Sequence, residues 1–533
     1  MQRESRLDYK RRSEADREER FKVHVRIGKA RRCDILNKMR STYEIDVIIP
    51  PQQLDDKDIQ LRFQCEMNRI VNAVSDKQYN DIGANLLLLT QLTQKEEHVA
   101  LVIDMIISTH FIGIIYECLV CTSVKSIRST CLHLLSNLSI STTNNNNNKN
   151  SLSSHVVSSK SFKLHVSDLK NIHSTDIDIL HTLQVICNSI NSTLECDFML
   201  MNGIVEVMIY IHNRNLYPAA VMRIISNLCK TYHTSGNGLL QFARFNLQIP
   251  LISLASDAIR LARDTDSIRL ACWALRYLTD DYSNQNSQIE VIINTSIPKQ
   301  LIELIRINST DEAAPVIRPA IECLANICSG QIHHVTSLVR LGLVDELQPH
   351  FNNPSAKVRV AVCYAFENLL GGGSQSVAAV LTPSFVRKMV HMMSQDVDIV
   401  KRAAGYVVAN VPLTKLGSSL LIKELSLPLA IVKLLRGSNP RICLKMLQLA
   451  HELLQHDSSF QVNLESAGFV DACDILVYCP TFGIYTLSET ILDTYFSDNI
   501  RDDENDDDDN DENNKNDNEG GTNSPLNLNF MNL

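Results

Sequence analysis

Asparagine recurs at one position of a repeated apolar pattern along this chain of 533 residues. Six segments carry it, among them LHLLSNLS, MRIISNLC, IECLANIC and CYAFENLL, and their asparagines are Asn137, Asn188, Asn227, Asn326, Asn368 and Asn410. Tyr277, in CWALRYLTDD, occupies the same position of a seventh segment. A carboxamide offers both a donor and an acceptor, so a row of them can bind the backbone of an extended peptide. Six in register favour a groove over the alternative that each caps or fills a helix end.

The spacing of these positions predicts the elements that hold them. Successive gaps are 51, 39, 50, 49, 42 and 42 residues, with turn signals and shorter apolar helices between the asparagine-bearing helices. Units of this length, with two or three helices each, are typical of armadillo or HEAT repeats. We therefore predict an all-α, right-handed α-solenoid of about ten armadillo repeats, in which the same helix of every unit lines one concave wall.

Charge divides the chain into three predicted regions. Residues 1–40 carry 14 Lys and Arg against 7 Asp and Glu, whereas residues 498–519 carry 12 acids against two bases. We predict a basic segment with a linker over 1–55, the solenoid over 56–497 with an Asn-rich loop at about 141–160, and a disordered acidic tail over 498–533. The body has no basic stripe, which disfavours nucleic-acid binding.

Chemistry of other kinds has little support in the sequence. No Ser-His-Asp, Cys-His, paired-carboxylate or phosphate-loop pattern stands out, so we expect no enzyme and no cofactor. The lone C-x-x-C of Cys118 and Cys121 and the pair His333 and His334 favour packing and an exposed helix face over metal binding, and we expect no metal site. The chain has no secretory leader pattern, and its most apolar stretch, 101–121, is interrupted by charges and predicts two core helices rather than a membrane span.

Three motifs resemble the importin-α family over nearly the whole chain. CWALRYLTDD is similar to the one family repeat in which Tyr replaces Asn, SNLCK at 226–230 resembles the repeat before it, and FGIYTLSETILDTYFSD resembles the closing helix. Residues 17–40, REERFKVHVRIGKARRCDILNKMR, are similar to the segment that binds importin-β. The resemblance implies importin-β contacts at Arg17, Arg20, Lys29, Arg31, Arg32, Lys38 and Arg40.

The resemblance also implies a cargo groove, and here the sequence departs from the family. The family pairs each ladder asparagine with a tryptophan four residues earlier, between which cargo lysines lie. Those positions read His133, Gln184, Arg223, Trp273, Glu322, Tyr364 and Tyr406. Trp273 is the only tryptophan of the chain, and acids that the family places nearby are Leu270, Ala361 and Ala403. Affinity for basic peptides should therefore be low, and the second half, with Tyr364, Asn368, Tyr406 and Asn410, has the better claim to cargo.

These features predict a nuclear import adaptor that moves between cytoplasm and nucleus. Its wall would bind the nuclear-localisation-signal peptides of cargo proteins, residues 17–40 would bind importin-β, and the acidic tail lies where an export receptor engages the family. The second cluster of the basic segment reads NKMRS instead of the family's KRRN, so self-inhibition should be weak. Two alternatives remain open: a catenin-like armadillo scaffold, and a paralogue that sequesters importin-β without carrying cargo.

Overall fold

The computed structural model describes residues 56–140, 159–170, 175–235, 247–262, 264–280, 287–307, 313–437 and 439–496. The basic segment at 17–40, most of the Asn-rich loop and the acidic tail lie outside these residues. Contacts divide the chain into two units, residues 1–65 and residues 66–533. The first unit is described only over 56–65, the start of the first helix.

The described residues form 27 α-helices and no strand, which confirms the all-α prediction. The first ten are α1 (Asp56–Ser75), α2 (Gly83–Leu92), α3 (Glu96–Ser108), α4 (Phe111–Cys121), α5 (Lys125–Ile140), α6 (Ser159–Lys170), α7 (Asp176–Asn188), α8 (Thr193–Met201), α9 (Ile204–Asn213) and α10 (Pro218–Thr234). There follow α11 (Gln248–Leu261), α12 (Thr265–Thr279), α13 (Ser287–Ile293), α14 (Ile297–Ile307), α15 (Ala314–Cys328), α16 (Ile332–Arg340), α17 (Leu343–Leu347), α18 (Ala356–Leu370) and α19 (Ser374–Val380). The last are α20 (Pro383–Gln395), α21 (Asp398–Ala409), α22 (Lys415–Ile422), α23 (Leu427–Leu435), α24 (Pro440–His456), α25 (Phe460–Ser466), α26 (Phe469–Leu476) and α27 (Phe482–Tyr495).

Side-chain caps and apolar spacing explain where these helices begin and what they bury. Thr175 accepts a hydrogen bond from the backbone N–H of Asp178 at the start of α7, and Asp264 accepts one from Ser267 at the start of α12. Each satisfies a donor that the first turn of a helix leaves without a partner. From Phe162 to Phe496 one continuous apolar core runs through the stack, because no single repeat can bury its own faces.

The apolar stretch 101–121 forms two helices, as predicted. The chain breaks between α3 and α4, which are bent by 86° to each other, and His110 takes a left-handed conformation there with φ 53°. Among the described residues no single helix has the length and hydropathy of a membrane span, and this bent pair passes that test only when its two members are taken together.

Candidate functional site

Seven helices carry the asparagine positions, and an eighth follows them at the same spacing. We call these the ladder helices: α5, α7, α10, α12, α15, α18, α21 and α24. Each packs against the next one in this order. The sequence period therefore places one helix of every repeat side by side. We call the surface formed by their asparagine positions, and by residues one to three turns earlier on the same stripe, the wall.

The asparagines of the second half share one contact. The Nδ2 group of Asn326 donates to the backbone oxygen of Arg276 at 3.1 Å, and that of Asn368 donates to the oxygen of Ala325 at 2.8 Å. Asn410 donates to Oε1 of Glu367 at 2.9 Å. Each acceptor belongs to the residue immediately before the asparagine position of the preceding ladder helix. One N–H of each amide thus ties neighbouring repeats together, near helix ends whose carbonyls lack partners within the helix.

The first half follows the same direction with one difference. Asn188 donates to Oγ of Ser139 at 3.1 Å, and Asn227 donates to Sγ of Cys187 at 3.3 Å. Asn137, by contrast, is 2% exposed and donates to the backbone oxygen of Thr90 at 3.1 Å. Its amide is enclosed in the stack, so it does not present a polar group on the wall.

Where the family has tryptophans, the first half of the wall is occupied by its own contacts. The ring of His133 stacks on that of His181 with centroids 4.3 Å apart. Gln184 accepts a hydrogen bond from Oγ of Ser136 at 2.6 Å. Arg223 is half-buried, and one of its guanidinium nitrogens is buried without a hydrogen-bond partner among the described residues. A second cation beside this arginine would be repelled.

At the centre, the single tryptophan is covered by an arginine of the same chain. The guanidinium of Arg318 lies 5.3 Å from the centroid of the Trp273 ring, and Arg276 lies 5.3 Å from that of Tyr277. The two rings stack with centroids 5.7 Å apart. Burial raises the pKa of Tyr277 to about 12, a rise that Arg276 opposes. The indole face that could receive a lysine of a peptide therefore already holds a cation.

Glu322 joins these two arginines. Its carboxylate accepts from Nε of Arg318 at 2.6 Å and from Nε of Arg276 at 3.2 Å. Arg276 also lies 3.1 Å from Asp280, which in turn is 3.4 Å from His233. Burial lowers the pKa of His233, with Asp280 opposing that shift. The charges at the centre of the wall are thus largely paired with one another, and we call these five residues the central cluster.

The second half is more open. The side chain of Tyr364 is 57% exposed, Tyr406 is half-buried, and Asn410 is exposed. Burial raises the pKa of Tyr406, and the nearby Arg441 and Arg402 oppose that rise. Aromatic faces and amides are therefore available to a ligand in this half.

Comparisons with known proteins agree with this geometry. No family profile matches the chain. Over 137 residues it is 23% identical to importin subunit alpha-1a of Oryza sativa subsp. japonica, and over 140 residues 26% identical to importin subunit alpha-2 of Caenorhabditis elegans. These stretches are 24% and 26% of this chain, and they span only about a quarter of the relatives, 24% and 23% of their lengths.

Among solved structures, an engineered protein aligns with 80% of the chain and 98% of its own length, with a TM-score of 0.66 at 14% identity. A designed armadillo repeat protein in complex with the peptide (KR)4 aligns with 46% of the chain and 99% of its own length, with a TM-score of 0.40 at 18% identity. The armadillo-repeat fold is confirmed. Over about a quarter of its length the sequence is similar to importin-α subunits.

The row of ladder positions continues for one repeat beyond Asn410, the last position predicted from the sequence. A further step of 42 residues from Tyr406 and Asn410 gives Gln448 and Glu452 on α24, which packs against α21. The same spacing also reveals four cations, because one helix face repeats at intervals of three, four, seven and eleven residues. We call them the wall cations: Lys357, Arg402, Arg441 and Lys445.

Among the described residues, one group of side chains has the geometry of metal ligands. The ligand atoms of Glu290, His333 and His334 lie within 4.8 Å of one another. Nδ1 of His334 accepts the backbone N–H of Gln331 at 3.0 Å, so Nε2 carries the proton and donates to Glu290 at 2.7 Å. The hydrogen bonds that Glu290 accepts from His334, His333 and Asn294 lower its pKa to about 2. A metal would need the Nε2 lone pair, so the hydrogen-bonded tautomer opposes a metal here.

Proposed function

We propose that the chain is a non-catalytic nuclear import adaptor that binds an extended cargo segment along the wall and importin-β through residues 17–40. The importin-α likeness of the sequence and the armadillo fold support it. Such an adaptor works in both cytoplasm and nucleus. In this proposal an export receptor binds near the last repeats and the acidic tail.

The single observation that carries the proposal is the common orientation of the ladder amides in the second half, of which Asn326 and Asn368 are half-buried and Asn410 is exposed. Asn326, Asn368 and Asn410 each use one N–H to reach the preceding repeat, and their Oδ1 atoms accept no hydrogen bond from the described residues. A second N–H and an acceptor therefore remain on Asn368 and Asn410, whereas the amide of Asn326 also donates to Oγ1 of Thr279 at 3.2 Å and keeps only its acceptor. A free N–H and an acceptor are the groups needed to pair with both the C=O and the N–H of an extended backbone.

Basic signal peptides are expected to bind weakly. In the first half Gln184 and Arg223 each replace an indole, and at the centre Arg318 covers the indole that remains. Each lost cation–π contact weakens binding by about 0.5–2 kcal/mol. Three such losses weaken a basic peptide by about two orders of magnitude, at about 1.4 kcal/mol per tenfold.

The importin-β part of the proposal is tested by capture. Residues 1–45 fused to a carrier should retain importin-β, and Arg31→Ala with Arg32→Ala should abolish retention, because both lie in the basic motif at 29–32. Lys10→Ala with Arg11→Ala is the matched control, since it removes the same charge outside the motif, and it should change retention little. Failure of the unaltered segment to capture importin-β would remove the adaptor function and leave the armadillo scaffold.

The wall part is tested by titrating a labelled basic signal peptide against the full chain. Asn368→Ala should weaken the peptide about tenfold, because it removes two backbone hydrogen bonds of about 0.5–1.5 kcal/mol each. Asn294→Ala is the control, since Asn294 is exposed and donates only within α13 and its end. Trp273→Ala should have little effect, because its face is already covered. Tight peptide binding that Asn368→Ala leaves unchanged would contradict the proposed wall. Capture of importin-β without any peptide binding would identify a sequestering paralogue.

A further inference from the structure

The wall cations have no ion pair within 4 Å among the described residues. Lys357, Arg441 and Lys445 are exposed, and Arg402 is half-buried. At the centre, by contrast, Arg276 and Arg318 both bind Glu322. An uncompensated cluster of like charge is unfavourable for the folded chain and favourable for an anionic ligand.

The four cations share one stripe with the exposed tyrosine and the amides. Lys357 lies eleven residues, about three turns, before Asn368 on α18, and Arg402 lies one turn before Tyr406 on α21. On α24, Arg441 and Lys445 precede Glu452 by eleven and seven residues. The three helices pack consecutively, so these side chains flank one surface.

Acids on this surface do not balance the cations. Glu367 and Glu452 are the two wall carboxylates of the second half, against four bases. Burial raises the pKa of Glu367, and its hydrogen bond from Asn410 and the charge of Lys445 oppose that rise. Asp398, at the start of α21, already lies 3.5 Å from Lys401.

The chain itself carries a segment of opposite charge a few residues after the end of α27. Residues 502–512 contain nine acids and no base. The last described turn of α27 lies beside the ladder row, since the ring of Tyr495 is 5.8 Å from that of His451, the neighbour of Glu452. The described residues therefore end beside α24, the ladder helix that carries Arg441 and Lys445.

The segment is also long enough to reach them. Ten residues separate Phe496 from Asp506, and extended chain covers about 3.3–3.6 Å per residue, or about 33–36 Å. Arg441 lies ten residues before His451 on α24, about 15 Å along the helix axis at 1.5 Å per residue. α21 is one helix further, at about 8–10 Å.

We propose that the second half of the wall selects acidic segments, and that residues 502–512 of the same chain occupy it when no other ligand is bound. This inference rests on the wall being the peptide-binding surface proposed above, but it does not depend on importin-β. A tethered segment competes at an effective concentration of about 1 mM. A tail that as a free peptide binds with a Kd of about 0.1 mM therefore weakens any competitor about tenfold.

Competition tests the proposal with the full chain. The probe is a labelled peptide with the sequence of residues 500–513, IRDDENDDDDNDEN, and its binding is measured by fluorescence anisotropy. Replacing the four consecutive tail acids by asparagine should tighten the probe about tenfold, because the internal competitor is lost; these substitutions are Asp506→Asn, Asp507→Asn, Asp508→Asn and Asp509→Asn. An affinity unchanged by the neutral tail would overturn the proposal.

The wall side of the contact has its own matched pair of variants. Arg441→Gln with Lys445→Gln, made in the neutral-tail chain, should weaken the acidic probe at least tenfold. Lys415→Gln with Lys423→Gln removes the same charge from exposed residues of α22 and its end, outside the ladder helices, and should change affinity less than twofold. Equal losses in both pairs would show a nonspecific charge effect and contradict the proposal.

Zero-length carbodiimide cross-linking identifies the occupant. At low protein concentration, the monomer band should contain an amide bond between Lys445 and an acid of 502–512, and Lys415 should give none. A cross-link found only in a dimer band would assign the segment to a second copy and overturn the same-chain contact. Importin-β capture by residues 1–45 is unaffected by any of these variants, so failure here and failure of the adaptor function are separable.

Discussion

Glu322→Gln tests whether the central cluster stabilises the middle of the wall. The carboxylate of Glu322 accepts hydrogen bonds from Arg318 at 2.6 Å and from Arg276 at 3.2 Å, and only 19% of the side chain is exposed. Glutamine keeps the size and one acceptor oxygen but removes the charge. We therefore expect Arg318 to lose its anchor above Trp273, while Arg276 keeps Asp280 at 3.1 Å.

The size of the effect follows from these contacts. A hydrogen bond to a charged group contributes about 1.5–3 kcal/mol, and the partial exposure of both arginines calls for a discount for solvent screening. Because one arginine keeps a second carboxylate, we expect a loss of about 2 kcal/mol from the local free energy of unfolding of α12 and α15. At about 1.4 kcal/mol per tenfold, amide exchange in these helices should become about thirtyfold faster.

Two measurements read this site. Hydrogen exchange with mass spectrometry follows peptides from α12 and α15, which suits a solenoid whose repeats need not unfold together. Trp273 is the only tryptophan of the chain, so tryptophan fluorescence reports on the site that Arg318 of the central cluster covers. Acrylamide should quench this emission more strongly in the variant, since the covering guanidinium is released.

Glu303→Gln is the control, because Glu303 binds only Arg306 and both side chains are about half exposed. Exposed pairs of this kind contribute about 0.2–1 kcal/mol, so exchange in α14 should change little and Trp273 emission should be unaltered. If Glu322→Gln accelerated exchange no more than the control and left quenching unchanged, the cluster would have no stabilising role and this reasoning would be wrong.

Three further variants or conditions test packing, pH dependence and metal binding. Gly417→Ala should destabilise the chain by about 1–3 kcal/mol in urea unfolding, since the new Cβ would lie 2.0 Å from a backbone oxygen. In the control Gly113→Ala the new Cβ meets nothing within 4 Å, so this variant should stabilise α4 by about 0.5–1 kcal/mol. Equal effects of the two variants would contradict the clash at Gly417. Burial lowers the pKa of His165 from 6.5 to about 4, so the imidazole is protonated in the unfolded chain at a higher pH than in the folded chain. The stability that the neutral ring contributes is therefore complete above pH 6.5 and is lost as the pH falls toward 4. Between pH 7 and 4 the free energy of unfolding of the parent chain should fall by about 3 kcal/mol more than that of His165→Gln, and equal losses in both chains would refute this prediction. Zinc should leave the melting temperature unchanged, because the tautomer of His334 that donates to Glu290 opposes coordination, and a clear rise with added zinc would show that the tautomer switches.

Much of the wall could be predicted from the sequence, because a period near 42 residues fixes the phase of each helix. This period predicts that Asn368 and Asn410 lie on a common stripe. One further step of 42 residues predicts the same stripe for Lys445 and Glu452. The split of 101–121 into two helices also followed from its charges. Register predicts which face a residue lies on, since that depends only on local helix geometry.

The partners across that face were decided by the tertiary structure. Asn137 and Asn368 occupy the same sequence position, but only packing decides that the first is enclosed against Thr90 and the second is half-buried. The cover of Arg318 over Trp273 joins residues 45 positions apart, so it depends on how closely and at what angle two helices pack. The sequence determined the repeat, its amide positions and the separation of charge, because these are local or compositional. Which side chains are open to a ligand was decided only by contacts between repeats, which no local pattern specifies.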